Sequence, residues 1–194
     1  MSGISLIKNL YLAYHNFYRK YYGMERDVSS FRYPIEQILK TEKNIKCKES
    51  YILEYGCGSG FNIEYLYNIG YTNVFGIEQN LEVYSDISMD QDIVIFKGNF
   101  VKGGNNLTNG IKFDFIFTRS VLQQKEGIGI IDGDFNSDDD IIKILIEFSK
   151  LLNPDGIIFL NEGSSTRDWY TLISKSGLDI IDDGNNFFKL KIKI

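Results

Sequence analysis

From residue 50 onward the chain alternates short apolar runs with stretches of helical period. Tyr51 to Tyr55 opens as a buried strand and is cut by Gly56, Gly58 and Gly60, and helix-compatible residues follow from Phe61 to Ile69. Asn73 to Ile77 reads as a second strand ending at Glu78, Ile93 to Phe96 as a third and Phe113 to Thr118 as a fourth. Ile141, Ile142, Leu145, Ile146 and Phe148 form the apolar face of a helix from Asp139 to Leu152. Ser137 or Asp138 caps that helix, and the acids Asp138, Asp139 and Asp140 favour its positive end. Leu152-Asn153-Pro154-Asp155-Gly156 reads as a turn into a fifth strand, Ile157 to Leu160. Two more strands, Leu178 to Ile181 and Asn186 to Ile194, flank an Asp182-Asp183-Gly184-Asn185 turn and predict a closing hairpin. In the last one apolar residues alternate with Lys189, Lys191 and Lys193, so one face is buried and lysines guard the other.

The first 45 residues follow a different rule. Ile4, Ile7, Tyr11, Tyr14 and Tyr18 recur at three- and four-residue steps, and Leu10, Phe17 and Tyr21 widen the stripe. This predicts an amphipathic helix from about Ser5 to Tyr22, stopped at Gly23. A second helix starts near Pro34 and runs to about Thr41. The tyrosines serve either as core and rim contacts or as an aromatic lid over a ligand.

The glycine turn carries the most specific chemistry. Glycines let the backbone take φ > 0 and let a ligand approach where no Cβ intrudes. The helix that follows offers free N–H groups and a positive dipole end to a carboxylate. The acid just before the turn, Glu54, can engage an ammonium group. A dinucleotide fingerprint, G-x-G-x-x-G, needs its third glycine at 61, which is Phe61. Glu78 stands at the end of the second strand, about 20 residues past the turn, where a carboxylate can accept both ribose hydroxyls. A glycine-rich turn with another ligand, or none, remains the alternative, as does a surface role for Glu78.

Glu54-x-Gly56-x-Gly58-x-Gly60 resembles motif I of the class I S-adenosylmethionine (SAM)-dependent methyltransferases. The resemblance covers roughly residues 50–194, in order and spacing. It implies an α/β, three-layer αβα Rossmann-like methyltransferase fold: a seven-stranded, mostly parallel sheet with a C-terminal antiparallel hairpin, plus N-terminal helices. One domain is expected over 1–194, with 1–45 as a helical lid and 50–194 as the core. The implied cofactor is S-adenosyl-L-methionine, held by Glu54, Gly56, Cys57, Gly58, Gly60, Glu78, Gln79, Asn99, Phe100, Thr118 and Ser120. In that set Asn99, in place of the commoner Asp, reads the adenine amino group and Phe100 lies against the ring. The family often carries two histidines after strand four, and here Gln123 and Gln124 stand in their place. N-terminal helices in small methyltransferases commonly wall the acceptor pocket.

His15 is the one histidine. It is either a general base for an oxygen acceptor or a structural residue on its helix. Positioning can supply much of the rate of an in-line displacement, so Tyr14, Tyr18, Gln123 and Gln124 can orient the acceptor by hydrogen bonds. Glu162, just past the fifth strand, is either an acceptor contact or a loop acid.

Length and charge narrow the picture. The chain has 194 residues, enough to bury a sizeable core, and a net charge of −5 that argues against a nucleic-acid substrate. Arg19, Lys20, Arg26 and Arg32 could still form a local basic patch. Cys47 and Cys57 show neither a metal spacing nor a C-x-x-C pair, so no disulfide framework or metal is expected and a reducing cytoplasm is the expected location. No apolar run reaches 18 residues and no leader pattern precedes a cleavage site, so no membrane span or secretory leader is expected. Asp132-Gly133-Asp134-Phe135-Asn136-Ser137-Asp138 lacks the sixth-position glycine and closing Glu of a calcium loop. Thr118-Arg119-Ser120-Val121 carries neither the motif of amino-methylating DNA enzymes nor a nucleophilic cysteine.

The expected activity is methyl transfer from SAM to an oxygen or nitrogen of a small-molecule acceptor. Two alternatives stand: a protein or RNA acceptor docked on the N-terminal helices, or a catalytically silent SAM-fold binding module. A nicotinamide-dependent oxidoreductase fails on the third glycine and on the terminal hairpin.

Overall fold

The computed structural model describes residues 47–58, 60–78, 93–98, 100–101, 107–119, 121–122, 137–162, 167–184 and 187–193. The N-terminal helices expected over 5–22 and 34–41, and the lid they would form, lie outside the described residues.

One seven-stranded sheet organises the described chain, in the order β3-β2-β1-β4-β5-β7-β6. Its strands are β1 Tyr51–Tyr55, β2 Asn73–Glu78, β3 Val94–Lys97, β4 Phe113–Arg119, β5 Leu152–Asn161, β6 Leu178–Gly184 and β7 Phe187–Ile192. The first five pair in parallel, whereas β7 lies antiparallel between β5 and β6. The closing hairpin is thus folded back into the sheet. Strand order reverses between β1 and β4, which opens a crevice at their carboxyl ends.

Side chains alternate across the sheet and build a core on each face. Leu53 and Tyr55 of β1, with Ile158 and Leu160 of β5, join one apolar cluster. Ile52, Ile157 and Phe159 join the other. The first cluster is covered by α2, Asp138–Leu151, and α3, Trp169–Ser174. The second is covered by α1, Phe61–Asn68, through Ile63, Tyr65 and Leu66. Helices on both faces of one sheet make the expected three layers.

Local chemistry explains the boundaries. Ser137 caps α2: its hydroxyl accepts from the Asp140 amide at 3.2 Å, and the Asp140 carboxylate accepts from the Ser137 amide at 3.2 Å. This reciprocal box fixes the start of the helix. Ile141, Leu145 and Phe148 are buried as expected, but Ile144 and Leu151 take the places expected for Ile142 and Ile146.

Two sequence expectations are corrected, and one element was not expected. The turn expected at 152–156 is absorbed into β5, with the ladder against β4 jumping from Phe113↔Leu152 to Phe115↔Ile157. Pro154 lacks the N–H a regular ladder needs, so the extra residues bulge within the strand. Asp182, Asp183 and Gly184, expected as turn, extend β6, which absorbs a register shift between Ile180 and Asp182. The short helix α3 had no counterpart in the sequence pattern; Asp168 caps it by accepting from the Thr171 amide at 3.1 Å. No helix among the described residues is long and apolar enough to cross a membrane.

Candidate ligand site at the strand ends

The turn after β1 is held by β2. The amides of Gly56 and Cys57 both donate to the Ile77 carbonyl, at 2.8 and 3.0 Å, and the Gly60 amide donates to the Cys57 carbonyl at 2.8 Å. Gly56, Gly58 and Gly60 all have positive φ, at 73°, 52° and 72°. Gly56 has a second reason to lack a side chain, since a Cβ there would come within 2.5 Å of Val121. At Gly58 a Cβ would meet no atom of the described residues within 4 Å, so among them this side of the turn is open. Gly60 is the N-cap of α1, and no side chain caps that helix end.

Two acids flank the turn. Glu78 closes β2, and its Oε2 accepts from the Gly58 amide at 2.9 Å. Glu54 is 4 % exposed, and its Oε1 accepts from Asn62 Nδ2 at 2.6 Å. Neither Glu54 Oε2 nor Asn62 Oδ1 has a hydrogen-bond partner among the described residues. Burial pushes the Glu54 carboxyl up to about 8, against the downward pull of the Asn62 bond and the Arg119 charge.

The Cys57 thiol turns away from the open side. It is 7 % exposed, within the cluster beneath α1. Burial, with the Glu54 and Glu78 charges beside it, holds the thiol well above its ordinary value. Gly76 of β2 makes room for it, since a Cβ there would lie 2.7 Å from the Cys57 sulfur and 2.5 Å from Ile63. Cys57 thus contributes its backbone to the turn and its side chain to the core.

Phe100 is likewise first a core residue. It is 6 % exposed, stacked on Tyr55 at 5.1 Å and set edge-on to Phe148 at 5.8 Å. Its amide donates to the Tyr55 hydroxyl at 3.3 Å, and burial pushes that phenol up to about 12. The Tyr55–Phe100 pair therefore pins the chain after β3 to the end of β1.

Thr118 is buried at the end of β4 and donates from its hydroxyl to Glu162 Oε1 at 3.0 Å. The other oxygen, Oε2, accepts from the Leu122 amide at 2.8 Å. Glu162, read from sequence as either an acceptor contact or a loop acid, is a clamp on the segment after β4. That segment carries Val121, which packs on Gly56.

Glu54, Gly56, Gly58, Gly60 and Glu78 thus converge at the β1 and β2 ends, with Thr118 beside them on β4. Gln79, Asn99, Ser120, Gln123, Gln124, Tyr14 and His15 lie outside the described residues. Sequence reading missed Asn62 and Arg119. The first had a signal: a polar residue between Phe61 and Ile63 on a helix whose first turn is buried. The second is a cation at the end of an otherwise apolar parallel strand.

No family model and no curated protein matches this chain by sequence. Solved structures do match by shape. The sugar N-methyltransferase KedS8 from Streptoalloteichus aligns over 93 % of this chain and 93 % of its own, at 9 % identity and a TM-score of 0.64. Magnesium protoporphyrin IX methyltransferase from Synechocystis, solved with bound SAM, aligns over 92 % of this chain and 90 % of its own, at 10 % identity and 0.63. The mitomycin 7-O-methyltransferase MmcR aligns over 74 % of this chain at 13 % identity and 0.53, and this chain spans 49 % of its length. The fold is that of the class I SAM-dependent methyltransferases.

Proposed function

We propose that this chain is a SAM-dependent methyltransferase acting on an oxygen or nitrogen of a small-molecule acceptor. The observation that carries the reading is the pair of acids, Glu54 and Glu78, on either side of a turn built from three left-handed glycines. The donor and acceptor chemistry fits the cofactor. SAM brings an ammonium, a carboxylate and a ribose diol, and no phosphate. Glu54 Oε2 and Asn62 Oδ1 are buried acceptors that an ammonium can satisfy. Glu78 stands where a carboxylate takes ribose hydroxyls. The positive end of α1, which starts at a glycine N-cap, and the Arg119 cation suit a carboxylate. Gly58 leaves the open side of the turn without a Cβ, so the backbone can approach the ligand closely.

When bound, the cofactor supplies a methyl group on a sulfonium, an electrophile with a good leaving group. What the protein adds is placement. The Glu162 clamp fixes the chain after β4, which leads into Gln123 and Gln124, and these two orient the acceptor in this reading. Tyr14 and His15 would act from the N-terminal helices, Tyr14 as a hydrogen-bond partner and His15 as the base for an oxygen acceptor. Asn99 takes the adenine edge, with Gln79 and Ser120 as further cofactor contacts. The acidic balance of −5 favours a small molecule over a nucleic acid. Among the enzymes of similar shape are a sugar, a porphyrin and a mitomycin methyltransferase, and also a ribosomal protein L11 methylase.

Isothermal titration with SAM and, separately, with NADH tests the reading. Heat with SAM alone, abolished by Glu78→Ala, is the expected result and would justify an acceptor screen. No SAM binding at millimolar concentration would overturn it in favour of a silent module.

A further inference from the structure

Glu54 and Asn62 are planar groups joined by one hydrogen bond, from Asn62 Nδ2 to Glu54 Oε1 at 2.6 Å. The remaining oxygen of each, Glu54 Oε2 and Asn62 Oδ1, is shut off from solvent and has no hydrogen-bond partner among the described residues. An ionised carboxylate can only accept, so the charged form leaves both atoms without a donor. A proton on Glu54 Oε2 turns that atom into a donor that an amide oxygen can accept. A carboxylic acid and a carboxamide can pair through two hydrogen bonds, amide N–H to one acid oxygen and acid O–H to the amide oxygen. An ammonium removes the same deficits with its own N–H groups.

We propose that Asn62 is a positioning residue that holds Glu54 as the neutral acid in the cofactor-free protein, and that binding of the cofactor's ammonium sends this proton to solvent. The inference rests on the cofactor reading above. Only the Glu54 O–H bond breaks, and the buffer takes the proton. Among the described residues, the groups that act on Glu54 come from each neighbouring element. They are Asn62 on α1, Glu78 at the end of β2, Arg119 at the end of β4 and the neutral Cys57 thiol in the turn. Burial outweighs the Asn62 bond and the Arg119 charge, and Glu78 adds to its effect, which brings the carboxyl to about 8. Binding below that pH must therefore remove a proton. Between pH 6 and 7 a free α-amino group, with a pKa near 8, is still charged, so affinity for SAM should rise about tenfold. A ligand without the amino-acid part, such as 5′-methylthioadenosine, should show a flat profile.

The test is titration of the full chain with SAM and with 5′-methylthioadenosine at pH 6 and 7, in buffers of different ionisation enthalpy. Infrared spectroscopy of the ligand-free protein accompanies it. The expected result is release of about one proton with SAM and none with the thioether. A protonated-carboxyl band at pH 7 should vanish on adding SAM. Asn62→Leu should lower SAM affinity at least tenfold at pH 7 and leave the thioether within about twofold. A flat SAM profile beside intact thioether binding overturns the proposal and spares the nucleoside site. If neither ligand binds, the cofactor reading fails and the proton exchange with it. The wild-type infrared band needs no variant, and its absence at pH 7 overturns the neutral acid on its own.

Discussion

Two buried carboxylates stand at the carboxyl ends of the sheet, and they are finished to different degrees. Glu162, after β5, is 2 % exposed and has one oxygen on the Thr118 hydroxyl and the other on the Leu122 amide. Glu54, in β1, has one oxygen on Asn62 and the other on nothing among the described residues. A buried acid with donors on both oxygens is structural: it ties β4, β5 and the following segment into one unit. A buried acid that is short of a donor once ionised weakens the fold that holds it, and such a deficit is expected where a ligand supplies the missing group.

The largest expected effect comes from breaking the finished acid. Glu162→Ala leaves the Thr118 hydroxyl and the Leu122 amide buried without their acceptor, at a cost of about 3 kcal/mol in unfolding free energy. Urea denaturation measures it as a lower midpoint. A loss below about 1 kcal/mol would mean that solvent or another group already serves those donors, and the contrast with Glu54 would collapse.

The unfinished acid should act in the opposite direction. The Glu54 carboxyl sits at about 8 in the fold against an ordinary glutamate value of 4.5, so between those values the native state holds a proton the unfolded chain has lost. Stability of the ligand-free protein therefore falls as pH rises through this window, by roughly 2 kcal/mol between pH 6 and 8. Glu54→Gln should remove that component of the slope and be the more stable protein at pH 8, while losing SAM affinity. Urea denaturation at the two pH values compares them. Parallel slopes in wild type and variant would show that Glu54 does not titrate in this window.

Much of this was legible in the chain and some was not, for physical reasons. Strands β1 to β4 were readable because short apolar runs end at glycine or at an acid, as Tyr51–Tyr55 does before Gly56. The cap of α2 was readable to within one residue, Ser137 or Asp138, because capping is a local matter: the partner Asp140 lies three residues on. β5 was misread because Pro154 and Gly156 carry turn propensity, while pairing with β4 and β7 keeps the strand together around a bulge. The acids Glu54 and Glu78 were singled out from their spacing around the glycine turn. The Glu162 clamp was left undecided, because its partners Thr118 and Leu122 are 44 and 40 residues away and only topology brings them together. Phe100 shows the same limit: its stack on Tyr55, 45 residues away, is not legible from an aromatic after a strand.

The smallest expected effect lies between the two acids, at Gly58. Its amide already serves Glu78, and an alanine keeps that donor. The added Cβ meets no atom of the described residues within 4 Å, so among them the folded state bears only the strain of a left-handed φ of 52°. That strain is about 1 kcal/mol. Gly56→Ala would add a collision with Val121 and could not separate folding from binding. Gly58→Ala can, because its methyl group enters the open side of the turn, where the ligand is placed in the present reading. A drop in SAM affinity of more than tenfold with a stability loss near 1 kcal/mol would put the ligand against this turn. Unchanged affinity would move it elsewhere, and the missing donor at Glu54 would then call for a different explanation.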